Sequence, residues 1–339
     1  MSSSASSRPR GKGRATSSAP HPGPPAPARG GPPHRAGFVA LVGEPNVGKS
    51  TLLNRLIGAK VAIVSPKPQT TRNRILGVVT GEGHQLALLD TPGIHSPRQG
   101  PLNRSLVEAA LGAVGEVDLV ALVVEATRPP EAGEGSENGR LLAVARRSGK
   151  RTALVVNKVD EVAKPKLLPL LEAWSQLHPF DLVYPLSALK GDNVEGLVPA
   201  LAELLPEGPP LFPPDVLTDQ AERMLAAELV REQVFRQTGQ EIPYSVAVEV
   251  EEFDESRREG ARPLVRILAT LHVERLSQKG ILIGKGGARL KSIGTKARAE
   301  IERMLGCKVF LGLNVRVEEG WSQSERALRR FGYLGPAEG

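Results

Sequence analysis

The chain carries one cysteine, Cys307, in 339 residues. An intramolecular disulfide is therefore excluded, and the usage fits a reducing compartment. It also lacks long apolar runs: segments such as Leu119–Val124 fall far short of the roughly 20 residues that a membrane-spanning helix needs. A soluble protein is expected. No self-similarity appears at solenoid periods, so stacked repeats are excluded. Residues 1–36 contain no acid and almost no apolar side chain, being mostly Ser, Pro, Gly and Arg. Such a segment cannot bury enough surface to offset chain entropy, and a disordered basic tail is expected. An organelle transit peptide is the lesser reading, because the Pro and Gly density defeats the amphipathic helix of such peptides.

The net charge of +7 is unevenly divided. Arg8, Arg10, Lys12, Arg14, Arg29 and Arg35 place +6 in the tail, leaving +1 for the rest. Within that rest, Arg257 to Arg316 holds 14 basic residues against four acids. Two separate basic segments exist, and the second suits a nucleic-acid partner.

From Phe38 to Leu205, short apolar runs alternate with helical patterns, which predicts an α/β domain with a mostly parallel sheet and helices on both faces. Strands are expected at 38–42, 75–79, 85–90, 118–125, 152–157 and 181–186. Helices are expected at 49–57, 102–115, 139–147, 165–177 and 194–205. Only five residues separate Val79 from Gln85, too few for a parallel crossover, so these two strands should form an antiparallel edge hairpin. Residues 206–217 hold five prolines and read as a stiff connector. Beyond it, the pattern predicts an α+β domain over 218–333. It comprises an amphipathic helix at 219–237, strands at 243–250 and 265–273, a glycine-rich turn at 281–287, a helix at 288–305 and a strand at 308–317. Residues 334–339 form a short tail.

The first motif is GEPNVGKST, spanning Gly43, Glu44, Pro45, Asn46, Val47, Gly48, Lys49, Ser50 and Thr51, between an apolar strand and a helix. Glycines let the backbone turn tightly around an anion, and N–H groups of the loop and helix start converge on phosphate oxygens. Lys49 would bridge the outer phosphates and Ser50 would hold Mg²⁺. Asp90 opens DTPG with Thr91, Pro92 and Gly93, 40 residues after Ser50. Its carboxylate can reach the metal shell while the Gly93 N–H serves the terminal phosphate. NKVD, Asn157, Lys158, Val159 and Asp160, ends another strand. A carboxylate accepts from guanine N1–H and the 2-amino group together, whereas adenine presents an acceptor at N1. GTP is chosen over ATP on that ground. Asn157 and Lys158 would brace the loop and cover the base, and in Ser187, Ala188 and Leu189 the Ala188 N–H could serve guanine O6. The polar stretch Ser65–Arg74 reads as a mobile switch, with Thr71, or next Thr70, sensing Mg²⁺ when a γ-phosphate is present.

In this order the motifs resemble those of the translation-factor-like P-loop GTPases. That resemblance implies hydrolysis with Lys49, Thr71 and Gly93 as the catalytic groups. Ile94 stands where many small GTPases carry a water-orienting Gln, and Asn46 resembles the position that recruits K⁺ in place of an arginine finger. In the second domain, GKGG, Gly284, Lys285, Gly286 and Gly287, lies between helical segments with Lys279, Arg289 and Lys291 beside it. This resembles the G-x-x-G loop of a type II KH module, in which single-stranded RNA approaches closely over glycines.

GTPase motifs, proline connector and C-terminal KH module, with the stretches at 217–235 and 320–333, are similar to the Era family of ribosome-assembly GTPases. The resemblance covers roughly 37–333. It implies a GTP/GDP and Mg²⁺ switch that binds the 3′ end of small-subunit ribosomal RNA and assists maturation of the small ribosomal subunit. It further implies a cytoplasmic, monomeric protein with peripheral association to the inner membrane. The alternative is a constitutive RNA-binding scaffold that uses GTP only for stability. A membrane-trafficking switch lacks any lipidation or amphipathic signal and would leave the KH region idle.

Overall fold

The computed structural model describes residues 33–65, 67, 71–72, 74–93, 112–131, 133, 136–239 and 242–333. The basic tail through residue 32, most of the expected helix at 102–115, Thr70, Ile94 and residues 334–339 lie outside the described residues.

The first half is built on β1 (Arg35–Val42), α1 (Lys49–Ile57), β2 (Ile75–Gly81), β3 (His84–Asp90), β4 (Leu119–Glu125), α2 (Glu137–Ser148), β5 (Arg151–Asn157), α3 (Lys164–Leu177), β6 (Leu182–Pro185) and α4 (Leu197–Ala202). The sheet order is β2-β3-β1-β4-β5-β6. Every neighbouring pair is parallel except β2 with β3, the short hairpin at the edge. Parallel strands covered on both faces read as continuous apolar runs, and β4 is buried at six of its seven positions. Alternation sends Val39 and Leu41 of β1 into one core with Leu52 and Leu53, and Ala40 and Val42 into the other with Trp174. The two neighbours of β1 are reached in opposite directions along the sheet, so a crevice opens beyond its carboxyl end. The motif loops all follow the carboxyl ends of β1, β3, β5 and β6.

The proline-rich segment is strapped along this sheet. Gln85 donates to the Phe212 carbonyl at 2.9 Å and accepts from the Leu211 and Phe212 N–H groups. Val78 N–H donates to Leu217 O, and the Thr218 hydroxyl donates to Leu76 O at 2.6 Å. Backbone fixed this way does not swing freely.

The second half contains α5 (Glu222–Gln237), β7 (Val246–Arg257), β8 (Leu264–Val273), α6 (Leu276–Ile283), α7 (Ala288–Leu305), β9 (Lys308–Val317) and α8 (Glu325–Arg330). Its sheet has the order β7-β8-β9, antiparallel then parallel. Strand β7 runs seven residues past the expected end at Val250, through two register shifts. α6 occupies part of the stretch expected as turn, ending at Ile283.

The expected one-sided amphipathicity of α5 does not hold: Arg231, Glu232 and Gln233 are buried along with Leu229, Val230 and Val234. The reason is a second packing partner. Its apolar side joins the core of the second half, while Glu232 takes Lys60 of the first half at 2.6 Å and Arg236 donates to Val64 O. The chain end from Trp321 to Tyr333 forms its own apolar cluster with Ala247.

Candidate functional site

The loop after β1 turns onto α1 with Gly48 as a left-handed N-cap, φ 100°. A Cβ there would meet Asn157 Nδ2 at 2.2 Å, and one on Gly43 would meet Val123 O at 2.2 Å. Asn46 is also left-handed, φ 66°. No acid occupies the first turn of α1, and no side chain caps it, so its N–H groups remain available to an anion. Lys49 is 5% exposed and donates to the carbonyls of Gly43 at 3.0 Å and Glu44 at 2.8 Å. Burial pulls its pKa from 10.5 down to about 8, against the attraction of Asp90 and Glu44.

Three oxygens converge beside it. Ser50 Oγ donates to Asp90 Oδ2 at 2.5 Å and lies 2.8 Å from Thr71 Oγ1, and Thr71 Oγ1 lies 3.4 Å from the same carboxylate oxygen. Asp90 is fully buried, and its Oδ1 has no hydrogen-bond partner among the described residues. Burial raises its pKa, opposed by Lys49 and by the Ser50 and Thr71 hydroxyls. A buried carboxylate with one orphaned oxygen, flanked by two hydroxyls, fits a hard divalent cation that takes few protein oxygens and completes its shell with phosphate and water. Gly93 packs so closely on Pro45 that a Cβ would reach its backbone nitrogen at 2.7 Å, and Thr91 Oγ1 donates to Leu41 O. A cleft lined by Pro45, Asn46, Gly48, Thr51, Ser65 and Gly93 opens above this cluster.

At the far end, Asn157 ties two loops together, donating to Val47 O at 2.7 Å and accepting from the Ala188 N–H at 2.9 Å. Lys158 is left-handed, φ 63°, a costly conformation for a long side chain, and its ammonium pairs with Glu125. Val159 and Asp160 open a short 3₁₀ turn, with Asp160 exposed. Ser187 is buried and Leu189 is exposed. Arg55 of α1 donates to the carbonyls of Ala188 and Leu189. Neither Arg55 nor Glu125 was anticipated from sequence, because each bonds across more than 30 residues without belonging to a motif.

In the second half, Gly284, Gly286 and Gly287 all have positive φ (70°, 58° and 79°), and Gly287 caps α7. Among the described residues, nothing lies within 4 Å of a Cβ on Gly286 or Gly287. Lys285 and Lys291 are exposed, and Lys279 is half-buried. Arg289 closes the turn instead, donating to Ile281 O at 2.6 Å with its Cβ against Gly284. A groove runs from this turn between α7 and β9, lined by Lys291, Gly294, Thr295, Arg298, Leu311 and Leu313. The spacing of Lys291, Thr295 and Arg298 along one helical face was the available signal for the additional groove residues.

Comparison with known proteins agrees with this division. A family model described as "50S ribosome-binding GTPase" matches residues 38–158, and one described as "KH domain" matches 241–322. The chain is 50% identical over 301 residues to the GTPase Era of Geobacter metallireducens, covering 89% of this chain and 98% of the relative. It is 50% identical over 302 residues to that of Stenotrophomonas maltophilia, with the same coverage. Among solved structures it resembles Era in complex with MgGDPNP and nucleotides 1506–1542 of 16S ribosomal RNA, with TM-score 0.83 and 40% identity over 89% of this chain and 100% of that one. It also resembles an Aquifex aeolicus Era variant bound to GDP·AlF4⁻, with TM-score 0.82 and 40% identity over the same shares.

Proposed function

Because the chain belongs to the Era family of GTPases, we propose that it hydrolyses GTP as a timed switch, binds the 3′ end of small-subunit ribosomal RNA through its KH half and assists small-subunit maturation. The observation that carries the switch is the Ser50, Thr71 and Asp90 cluster, where a switch-segment hydroxyl and a motif hydroxyl meet at one oxygen of a buried carboxylate whose other oxygen has no partner among the described residues. The RNA reading is supported by the open GKGG turn and by the solved relative that holds a 16S fragment. The large-subunit description belongs to a model that covers the nucleotide-binding region alone, so it does not bear on which RNA the KH half takes.

In this reading the loop and α1 N–H groups bind the phosphates, and Lys49 must keep its proton against burial. An arriving polyphosphate supplies the negative charge that holds it there. Ser50, Thr71 and Asp90 would hold Mg²⁺, which would supply positive charge against the charge that develops on the phosphates. Thr71 would serve that ion in the GTP state, and Gly93 would present its N–H to the γ-phosphate. Asn157 holds the base loop against the phosphate loop, and Asp160 accepts from guanine. Asn46, in the PNVGKS form and left-handed, supports a K⁺ beside the phosphates; turnover in KCl should exceed that in NaCl, and equal rates remove K⁺ from the account. No helix among the described residues is long and apolar enough to cross a membrane. The reading carries a peripheral association with the inner membrane. A cytoplasmic monomer completes the reading.

The test is to crosslink the GTP-analogue complex to total cellular RNA and map the bound sites. Enrichment at the 3′ end of small-subunit ribosomal RNA is expected. Sites on the large subunit, or spread evenly, overturn the assignment.

A further inference from the structure

Thr71 and Arg72 are consecutive, and their side chains end in different halves of the molecule. The Thr71 hydroxyl meets Ser50 and Asp90. Arg72 is 2% exposed and donates through Nη1 to Val246 O at 2.8 Å and through Nη2 to Pro243 O at 2.8 Å. Nη1 also lies 3.3 Å from the Tyr333 hydroxyl, and the guanidinium sits 5.1 Å from the centre of the Tyr333 ring and 5.8 Å from that of Trp321. All four partners belong to the KH half or its C-terminal cap. Trp321 is itself fixed by donation to Ser245 O.

A buried guanidinium is costly unless its donors find acceptors, and this pocket meets both terminal nitrogens with carbonyls, beside ring faces that suit a planar cation. Adjacent Cα atoms are held about 3.8 Å apart by the peptide unit. A backbone movement that carries Thr71 away from the Ser50–Asp90 cluster is therefore passed directly to the backbone that bears Arg72. We propose that Arg72 is a positioning residue: its socket in the KH half holds Thr71 in the metal-sensing position, and through this one peptide link the nucleotide state and the KH half bias each other. The inference rests on the switch reading above. Linkage makes the bias reciprocal, so a device that favours RNA binding when GTP is bound also favours GTP when RNA is bound.

Lys67, in the same switch segment, donates to the carbonyls of Thr238 and Gly239 at the end of α5. It grips the same half at a second point. Its ammonium is less deeply placed, so it is the lesser anchor.

The experiment uses the full chain and measures affinity for a single-stranded oligonucleotide of the small-subunit 3′ end with Mg·GDPNP and with GDP. It compares wild type, Arg72→Ala, Arg72→Lys and Tyr333→Leu. In wild type the oligonucleotide should bind more tightly with Mg·GDPNP. Arg72→Ala should bring the ratio of the two affinities to within about two-fold of unity, and weaken GDPNP about ten-fold while leaving GDP unchanged, since GDP does not call on Thr71. Arg72→Lys keeps the charge but not the fork, and should restore part of the ratio. Tyr333→Leu removes a socket wall without touching the nucleotide site and should lower the ratio, so it reports even if Arg72→Ala fails to fold. A merely structural role would lower Tm in these variants with the ratio intact. If wild type shows no difference between nucleotides, the switch reading fails and this inference with it. If wild type shows the difference and the folded Arg72 or Tyr333 variants keep it, the switch stands and Arg72 is not its link.

Discussion

Two glycine turns feed two helices in this molecule, one at Gly48 before α1 and one at Gly287 before α7. Both glycines are left-handed N-caps, and neither helix has a side-chain cap or an acid in its first turn. The surroundings differ completely. Around Gly43 and Gly48 the protein closes in, with Val123 O and Asn157 Nδ2 each 2.2 Å from where a Cβ would stand. Around Gly286 and Gly287 there is open space. The first turn is glycine because the protein itself packs against it to form a rigid phosphate cradle. At the second, positive φ accounts for the last two glycines without any crowding from the described residues, and the space left over them suits an external backbone that must come close.

That contrast breaks most severely at Gly48. Gly48→Ala forces a Cβ into Asn157 at a positive φ, and should cost roughly 2–4 kcal/mol of stability and reduce GDP affinity at least about 100-fold, read by thermal unfolding and calorimetry. At the open turn, Lys285→Asp with Gly286→Asp should reduce RNA binding about 100-fold while GTP turnover stays within about two-fold, because charge repulsion meets the RNA but no internal packing is lost. Turnover falling with RNA binding would show the two turns to be less separate than their surroundings suggest. Asp160 is an exposed element of the nucleotide site, and Asp160→Asn should weaken GTP about ten- to a hundred-fold and favour xanthosine triphosphate. Unchanged guanine preference would remove Asp160 from base reading.

Lys49 sharpens the closed side by titration. Its folded pKa is depressed to about 8 from 10.5, so the burial penalty is in full force below pH 8 and is relieved as pH rises toward 10.5. Nucleotide-free protein should therefore gain stability from this group across that window. Phosphate binding restores the proton, so GDP binding at pH 8–9 should take up protons, measured by calorimetry in buffers of different ionisation enthalpy, and uptake should fade below pH 7. The smallest effect belongs to the open side: Lys291→Gln should flatten the log–log salt dependence of RNA binding by about 0.7, the contribution of one single-strand phosphate contact.

The nucleotide loops were legible because each is a short local pattern at the end of a buried strand, and the strands and the antiparallel edge hairpin followed from apolar runs and one short connection; the order of strands across the sheet did not. What escaped was non-local or polar. The segment EEFDESR continues β7 only through register shifts and reads as loop. The proline segment reads as a connector, and nothing in it announces that Gln85, more than 120 residues earlier, holds its backbone. Arg72 reads as one more polar switch residue, since its acceptors lie more than 170 residues away. Arg289 reads as a phosphate contact, and nothing in the sequence announces that its Nη1 also donates to Ile281 O across the turn.

The central claim is that the closed turn governs the open one, so that nucleotide state sets RNA affinity. It is tested most directly by the affinity of the full-length wild-type protein for a single-stranded oligonucleotide of the small-subunit 3′ end, measured with Mg·GDPNP, with GDP and without nucleotide. The account predicts tightest binding with Mg·GDPNP, by ten-fold or more over GDP, a coupling of about 1.4 kcal/mol or greater. Equal affinity in all three states would contradict it and leave a constitutive RNA-binding scaffold.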